Sequence, residues 1–249
     1  MSLFGNLKSE GLEETVDRLG GYQPFETGTY SGTIKVAYAG VSANNARNVT
    51  VVLDINGKEY RETIYVTNRK GENFFLNKDD KTKKVPLPGF SLIEDMCLIA
   101  TGAPLSEQEG EDKMVKIYDT ELRKEVAKSV PVLTGCIGKS VSVGILKVLE
   151  NKNEKDSKGI YVPTAETRLF NQIDKFYDTE TKATVAEARA EAVPAFWEAW
   201  GERNKGQVRD KRTIKDGQGG MTARPVAGGP PVAGAPAARR SLFGPKVKS

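Results

Sequence analysis

The sequence predicts a mainly β (α+β) protein: a five-stranded barrel with accessory helices and a disordered C-terminal tail. Three observations predict it. Apolar and polar residues alternate in several short segments, and Asn56-Gly57 joins two of these segments by a two-residue turn. One amphipathic helical segment lies between the third and fourth strands. Five short strands with a helix in that position are the arrangement of an OB-fold-like barrel.

The first three strands form the clearest part of the pattern. Thr29–Ala39 is the first, with Ile34 and Val36 predicted on one face and Lys35 on the other. The second is Asn48–Ile55, and its inward residues are Val49, Val51, Leu53 and Ile55.

Asn56-Gly57 suits a tight hairpin turn because both residues tolerate positive φ. The third strand, Lys58–Thr67, then has two candidate buried faces. One face carries Tyr60, Ile64 and Val66, and the other carries Arg61, Thr63 and Tyr65. The pattern leaves both alternatives open.

The later elements are less regular. Phe90–Thr101 is a helix ended by Gly102, and Met114–Asp119 is the fourth strand. Val130–Ile137 fits either a strand or a helix. Ser140–Leu149 is the last clear strand, and the end of the barrel between Leu149 and Thr184 is not determined by the pattern.

Four regions follow from the composition: an N-terminal arm (1–27) with a short helix at Leu12–Leu19, an OB-fold-like domain with an accessory helix (28–200), a flexible basic Gly/Pro/Ala linker (201–238) and a C-terminal interaction peptide (239–249). The accessory helix, Thr184–Asn204, is kinked or split at Pro194. It carries Phe196, Trp197 and Trp200, which favour packing onto the barrel over an interaction helix.

Charge separates the body from the tail. The formal net charge is +4, but residues 201–249 hold 11 lysines and arginines against 3 acidic residues, a net of +8. Residues 1–200 hold 26 basic and 30 acidic residues, a net of −4. This division indicates two separate functions.

The sequence contains no histidine, the commonest general acid–base group and transition-metal ligand. Catalytic triads with histidine and HExxH zinc sites are therefore excluded, and the remaining enzyme alternative is one such as a carboxylate-metal nuclease. Cys97 and Cys136 lack CxxC spacing and are interpreted as reduced packing residues. We expect a non-enzymatic protein without cofactor or metal. With no apolar run long enough for a bilayer and no secretory signal, we expect it in the cytoplasm, without membrane contact.

Aromatic and basic residues alternate around the third strand. Such interleaving is typical of single-stranded nucleic-acid sites, where bases stack on aromatic rings and cations follow the phosphates. The alternative is that Tyr60, Tyr65 and the phenylalanine pair are core residues; it is favoured for Tyr60 and one phenylalanine, and left open for Tyr65. The candidate DNA-binding residues are Lys58, Arg61, Tyr65, Arg69, Lys70, Phe74 and Phe75.

Three segments resemble one known family. They are Ser2-Leu3-Phe4-Gly5-Asn6-Leu7, the stretch Lys58–Asn73 (KEYRETIYVTNRKGEN), and the closing Ser241-Leu242-Phe243-Gly244 with its lysines. This pattern is similar to the single-stranded DNA-binding protein of podoviruses whose virions carry a giant RNA polymerase. The resemblance covers most of residues 1–149 and the extreme C-terminus.

The resemblance implies sequence-independent single-stranded DNA binding in phage replication and recombination, in the host cell cytoplasm. Tyr65 or Phe75 would hold DNA. The tail would activate host RNA polymerase at late promoters, and phage replication proteins are further candidate partners. One departure from the family pattern is Val247, which separates two lysines expected to be adjacent. The candidate partner-binding residues are Ser241, Leu242, Phe243, Lys246 and Lys248.

A second hypothesis comes from another class of protein. In it the chain is an interaction adaptor or transcription coactivator, and the barrel is only a scaffold for the tail. The isolated tail would then capture polymerase, while residues 1–200 would have no affinity for DNA.

Overall fold

A computed structural model describes residues 23–119, 122–157 and 159–214. The helix predicted at Leu12–Leu19 and the interaction peptide predicted at residues 239–249 both lie outside these ranges. The described chain is dominated by antiparallel β-structure, so the prediction of a mainly β protein is confirmed.

An antiparallel meander begins the sheet: β1 (Gly28–Val41), β2 (Arg47–Ile55) and β3 (Lys58–Tyr65). The predicted turn between β2 and β3 is confirmed, since Asn56 and Gly57 have φ of 53° and 79°. Asp54 Oδ1 accepts the Gly57 amide at 2.8 Å and helps to close this turn.

The first strand contains a β-bulge at Lys35. Ile34 pairs with Leu53 and Ala37 pairs with Val51, and all four side chains are buried. The prediction that Ile34 and Val36 share a face is therefore wrong, because the extra residue of the bulge shifts the alternation.

A small hairpin and a helix follow β3. Strand β4 (Phe74–Leu76) pairs with β5 (Lys84–Pro86) in a separate two-stranded sheet. Helix α1 (Pro88–Thr101) confirms the predicted helix; it begins with proline in its first turn and ends at Gly102, whose φ is 75°. Its buried face consists of Ile93, Met96, Cys97 and Ala100.

Two long antiparallel hairpins complete most of the sheet. Strand β6 (Gly110–Asp119) pairs with β7 (Lys124–Leu133), and β8 (Ser140–Lys155) pairs with β9 (Tyr161–Tyr177). The segment Val130–Ile137 is thus strand in its first half and then a 3-10 turn at Thr134–Cys136. Both β7 and β8 pair with β1.

The accessory helix is split, as predicted, into α2 (Val185–Arg189) and α3 (Phe196–Asn204); the break between them contains Pro194. A short strand, β10 (Val208–Asp210), then pairs in parallel with β8. The folded unit therefore extends beyond residue 200, where the sequence predicted the linker to begin, because β10 completes hydrogen bonds on β8.

The main core lies between the inner faces of the sheet and α1. Its fully buried members include Val51, Leu53, Met96, Ile145 and Phe176. A smaller cluster places Trp200 of α3 on Leu146 and Val148 of β8. This packing agrees with the interpretation of the tryptophan-bearing helix as a cover for the sheet.

The sheet is open. Its order is β10-β8-β1-β2-β3, with β7 beside β1, β6 beside β7 and β9 beside β8. Among the described residues β3 forms no ladder with β8 or β9, and there are more strands than the five predicted. These strands therefore do not form a closed five-stranded barrel.

Candidate nucleic-acid interface

The side of the β1–β2–β3 meander opposite the main core is called here the outer face; its central residues Tyr38, Thr50 and Val52 are buried, whereas its edge on β3 is exposed. Antiparallel partners project to the same side of a sheet, so the pairing register defines its rows. From one end to the other, the rows are Thr33–Asp54–Glu59, Val36–Val52–Arg61, Tyr38–Thr50–Thr63 and Gly40–Asn48–Tyr65.

The structure decides between the two faces of the third strand. Tyr60, Ile64 and Val66 are buried, whereas Arg61 and Tyr65 are exposed on the outer face. Tyr65 is the most accessible aromatic residue of this face, with 53% of its surface exposed. A large exposed ring on a strand is available for stacking rather than for the core.

Helix α1 fixes the end of β3 that bears Tyr65. Gly89, in the first turn of α1, lies so close to the Tyr65 carbonyl oxygen that a Cβ atom there would collide with it. Glycine therefore lets the helix pack directly against β3, which holds the Tyr65 backbone in place while its ring points outward.

Two cations on the outer face share one acidic neighbour. Glu59 accepts Lys35 Nζ at 3.0 Å and Arg61 Nη2 at 3.3 Å. The hydrogen bond with Lys35 lowers the pKa of Glu59, and the same bond raises the pKa of Lys35. Exposed ion pairs of this kind contribute little to stability, so a phosphate can compete for both cations.

A tight turn presents the next basic pair. Asn68 Oδ1 accepts the backbone amides of Lys70 and Glu72, and Gly71 adopts a φ of 80°. Arg69 and Lys70 are both exposed at this turn. The side-chain amide thus holds the turn closed without occupying either cation.

The other predicted DNA-binding residues, Lys58, Phe74 and Phe75, lie outside the outer face. Lys58 pairs with Ile55 and so projects to the core side, where its ammonium lies 4.4 Å from the centre of the Phe25 ring. Phe74 and Phe75 are half-buried in the separate β4–β5 sheet, and Lys84 lies 4.3 Å from the Phe74 ring centre. The structure therefore brings Arg61 and Tyr65 together on the outer face, and places Lys58 on the opposite side of β3.

The β6–β7 hairpin continues the outer face. Val132 of β7 pairs with Tyr38, so the side of β7 that carries Val132 is the outer side. Further along the hairpin, this side carries Lys113, Lys124 and Lys128. Sequence reasoning missed these lysines and Lys35, because hairpin register and bulge position are set by pairing between distant strands.

No protein-family model matches the chain, and a search of curated proteins finds no match either. Within residues 23–119, 122–157 and 159–214, no three histidine, cysteine or acidic side chains are grouped as a metal site. No helix in the same part of the chain is long and apolar enough to cross a membrane.

Proposed function

We propose that the protein binds single-stranded DNA without sequence preference, across the outer face. The observation that carries this proposal is the exposed ring of Tyr65 on the same side of β3 as Arg61, beside the Arg69-Lys70 turn. Base stacking on an aromatic ring contributes about 1–3 kcal/mol per base, and it tolerates every base because each has a π-face.

We further propose that the open sheet is an elaborated OB-type fold. In support, a three-stranded meander is followed by a helix, and later strands return to the other edge of β1. In such folds, the face of the second and third strands and the adjoining loops contact the oligonucleotide. Tyr65, Arg61 and the β6–β7 hairpin occupy the equivalent positions.

We also propose that the tail contacts host RNA polymerase and activates it at late promoters. Support comes from the resemblance of Ser241–Gly244 and from the net charge of +8 in residues 201–249. An adaptor with an inert sheet is the competing proposal, and DNA affinity in the folded part distinguishes the two.

The test is fluorescence anisotropy of a labelled dT oligonucleotide, with duplex DNA as competitor. The full chain is compared with a chain ending at Ile214. This end point keeps β10, and it keeps Ile214, whose backbone bonds to Asn151. Circular dichroism of the shorter chain verifies that it is folded.

We expect both chains to bind tightly and duplex DNA to compete poorly. Single strands offer unstacked bases to Tyr65, whereas a duplex offers only phosphates. Binding by the full chain alone, with displacement by duplex, would mean that only tail charge attracts DNA, and the proposal for the outer face would then fail.

A further inference from the structure

A further cation, Lys182, lies on the outer side of the sheet near the start of β1. The ammonium of Lys182 is 3.4 Å from Ser31 Oγ and 3.3 Å from Ser142 Oγ, and it lies 4.9 Å from the centre of the Trp197 ring. The two serine hydroxyls are themselves 2.9 Å apart. Lys182, Ser31 and Trp197 are called here the lysine cluster.

The backbone holds Lys182 in this place. Lys182 has a φ of 62°, a left-handed conformation that costs energy for a residue other than glycine. Its amide donates to the Asp178 carbonyl oxygen, and the Asp178 amide donates to the Ala183 carbonyl oxygen. The loop is therefore closed around one conformation, which aims the lysine side chain back over the sheet.

The aromatic floor of the cluster is equally fixed. Trp197 packs edge-on against Tyr177, with ring centres 4.8 Å apart. Glu187 accepts the amides of Ala195 and Phe196, both at 2.8 Å, at the start of the helix that carries Trp197. Burial raises the pKa of Glu187. These hydrogen bonds and those from Thr184 outweigh burial and lower the pKa to about 2. The helix start is thus held by a charged acceptor.

The pairing register places this cluster on the same side as the outer face. Ser31 pairs with Ser142, which pairs with Tyr177, and two residues further along β1 Thr33 begins the outer-face rows. Ser31 and Lys35 are four residues apart, about 13 Å along a strand. Cations therefore occur at intervals along one surface, from Lys182 through Lys35 to Arg61.

Lys182 keeps capacity for a further partner. An ammonium has three donors, and the two serine oxygens use two of them. No acidic side chain of the described chain forms a salt bridge with Lys182. Hydrogen bonds from Thr181 and from the Glu180 amide lower the pKa of Asp178, and the nearby charge of Lys182 adds to the decrease.

We propose that the lysine cluster is a phosphate-binding site at one end of the single-stranded DNA path. In it, Lys182 and the exposed hydroxyl of Ser31 bind a phosphate of the DNA backbone. The inference rests on the proposed function and extends its site by one contact beyond the meander. DNA would run from the lysine cluster over Lys35 and Arg61 to Tyr65. This phosphate-binding site recognises phosphate and makes no distinction between bases.

Trp197 provides a direct readout. The chain has two tryptophans, and Trp200 is buried against Gly144. A phosphate bound to Lys182 changes the charge beside the Trp197 ring, so we expect dT oligonucleotide to change the emission of the full-length Trp200→Phe variant. The same change is expected as a smaller fraction of the wild-type signal, which serves if Trp200→Phe does not fold.

The affinity test uses Lys182→Met in the full-length chain, with Lys205→Met as its control. Lys205 is an exposed lysine at the end of α3, and it has the same charge. We expect Lys182→Met to weaken dT binding three- to tenfold and to reduce the slope of log K against log salt by about 0.7, the value for one phosphate contact. Lys205→Met is expected to leave both quantities unchanged.

The two levels of the proposal fail differently. Suppose that anisotropy reports tight binding, that Trp197 emission is unchanged, and that Lys182→Met and Lys205→Met bind dT with the same affinity and salt slope. The phosphate-binding site at Lys182 is then overturned, and the outer-face site stands. If no variant and no wild-type chain binds the oligonucleotide, the proposed function itself is overturned.

Discussion

The carboxylate of Glu62 on β3 accepts the backbone amide of Ile173 on β9 at 2.7 Å. The same oxygen accepts the hydroxyl of Tyr60 at 2.6 Å. The bond from Ile173 crosses the gap where the sheet is open, so the Glu62 side chain joins two strands that have no ladder between them. A cleft of about 360 Å³ lies along this seam, lined in part by Tyr65, Gly89 and Asp95.

Glu62 makes stability depend on pH. Burial raises its pKa to about 7, against 4.5 for an exposed glutamate, although the bonds from Tyr60 and Ile173 oppose the rise. The folded state then binds more protons than the unfolded state between these values, so stability falls as pH increases from 4.5 to 7. Over this range, the free energy of unfolding falls by about 3 kcal/mol in total.

Glu62→Gln is expected to remove this decline, because the amide oxygen still accepts both hydrogen bonds and carries no charge. Urea unfolding at pH 4.5 and pH 8 measures it: the variant should gain stability over wild type only at the higher pH. Glu59→Gln, exposed on the same strand, is the control and should keep the decline. Equal pH dependence in wild type and Glu62→Gln would contradict the argument.

Gly144 has little room for a side chain. A Cβ atom there would lie 3.0–3.1 Å from three atoms of the Trp200 indole, whose Nε1 donates to Asp174 at 2.8 Å. Gly144→Ala is expected to displace Trp200 and to destabilise the protein by about 1–3 kcal/mol, measured by urea unfolding with tryptophan emission as the probe.

Gly201 provides the matched control for this substitution. It lies in α3, where a Cβ atom would have no atom of the described chain within 4 Å, and its backbone does not adopt positive φ. Gly201→Ala should raise stability by about 0.5–1 kcal/mol, since alanine favours a helix over glycine. A loss of stability at both positions would show that glycine is needed for another reason.

Local pattern predicted much of the fold and of the outer face. The Asn56-Gly57 turn and the inward side of β2 (Val49, Val51, Leu53 and Ile55) depend on neighbouring residues only, and both occur as predicted. The same period of two put Arg61 and Tyr65 on one side of β3. These features need no information from distant parts of the chain.

The features that the sequence did not predict depend on distant partners. Strand β9 (Tyr161–Tyr177) has a distal half with most residues exposed, so its alternation is weak and only pairing with β8 defines it. Likewise, Lys182 lies 151 residues from Ser31 in sequence. No sequence periodicity indicates a contact made by a loop lysine whose backbone adopts the left-handed conformation.

Tyr65 is expected to stack on a base. Tyr65→Ala should weaken dT binding about 5- to 150-fold, the equivalent of 1–3 kcal/mol, with little effect on stability because the ring is exposed. Tyr65→Phe should retain most of the affinity. The control is Tyr161→Ala, a 65% exposed tyrosine on the β8–β9 hairpin; anisotropy that cannot distinguish the two alanine variants would remove Tyr65 from the site.

The turn of Arg69 and Lys70 is expected to bind phosphate. Lys70→Met should lower the slope of log K against log salt by about 0.7 and weaken binding equally for dT and dA strands. Lys155→Met is the control, because Lys155 is an exposed lysine on the distal β8–β9 hairpin. An unchanged salt slope in Lys70→Met would place the DNA path elsewhere on the sheet.

Asn151 is expected to hold residues 213 and 214 against the sheet. Its buried side-chain oxygen accepts the amides of Thr213 and Ile214 at 2.8 and 2.9 Å, and its nitrogen donates to the Ile214 carbonyl oxygen at 3.1 Å. These three bonds imitate a strand partner just beyond β10. Asn151→Leu keeps a similar volume but cannot form them, and it leaves two backbone amides without an acceptor.

Hydrogen exchange measured by mass spectrometry tests this role. In Asn151→Leu, amides 208–214 should exchange at least tenfold faster, while those of β2 and α1 keep their protection, because local opening does not require the core to unfold. Asn153→Leu, on the exposed part of the same strand, is the control. If protection of 208–214 is the same in both variants, β10 pairing alone holds this segment.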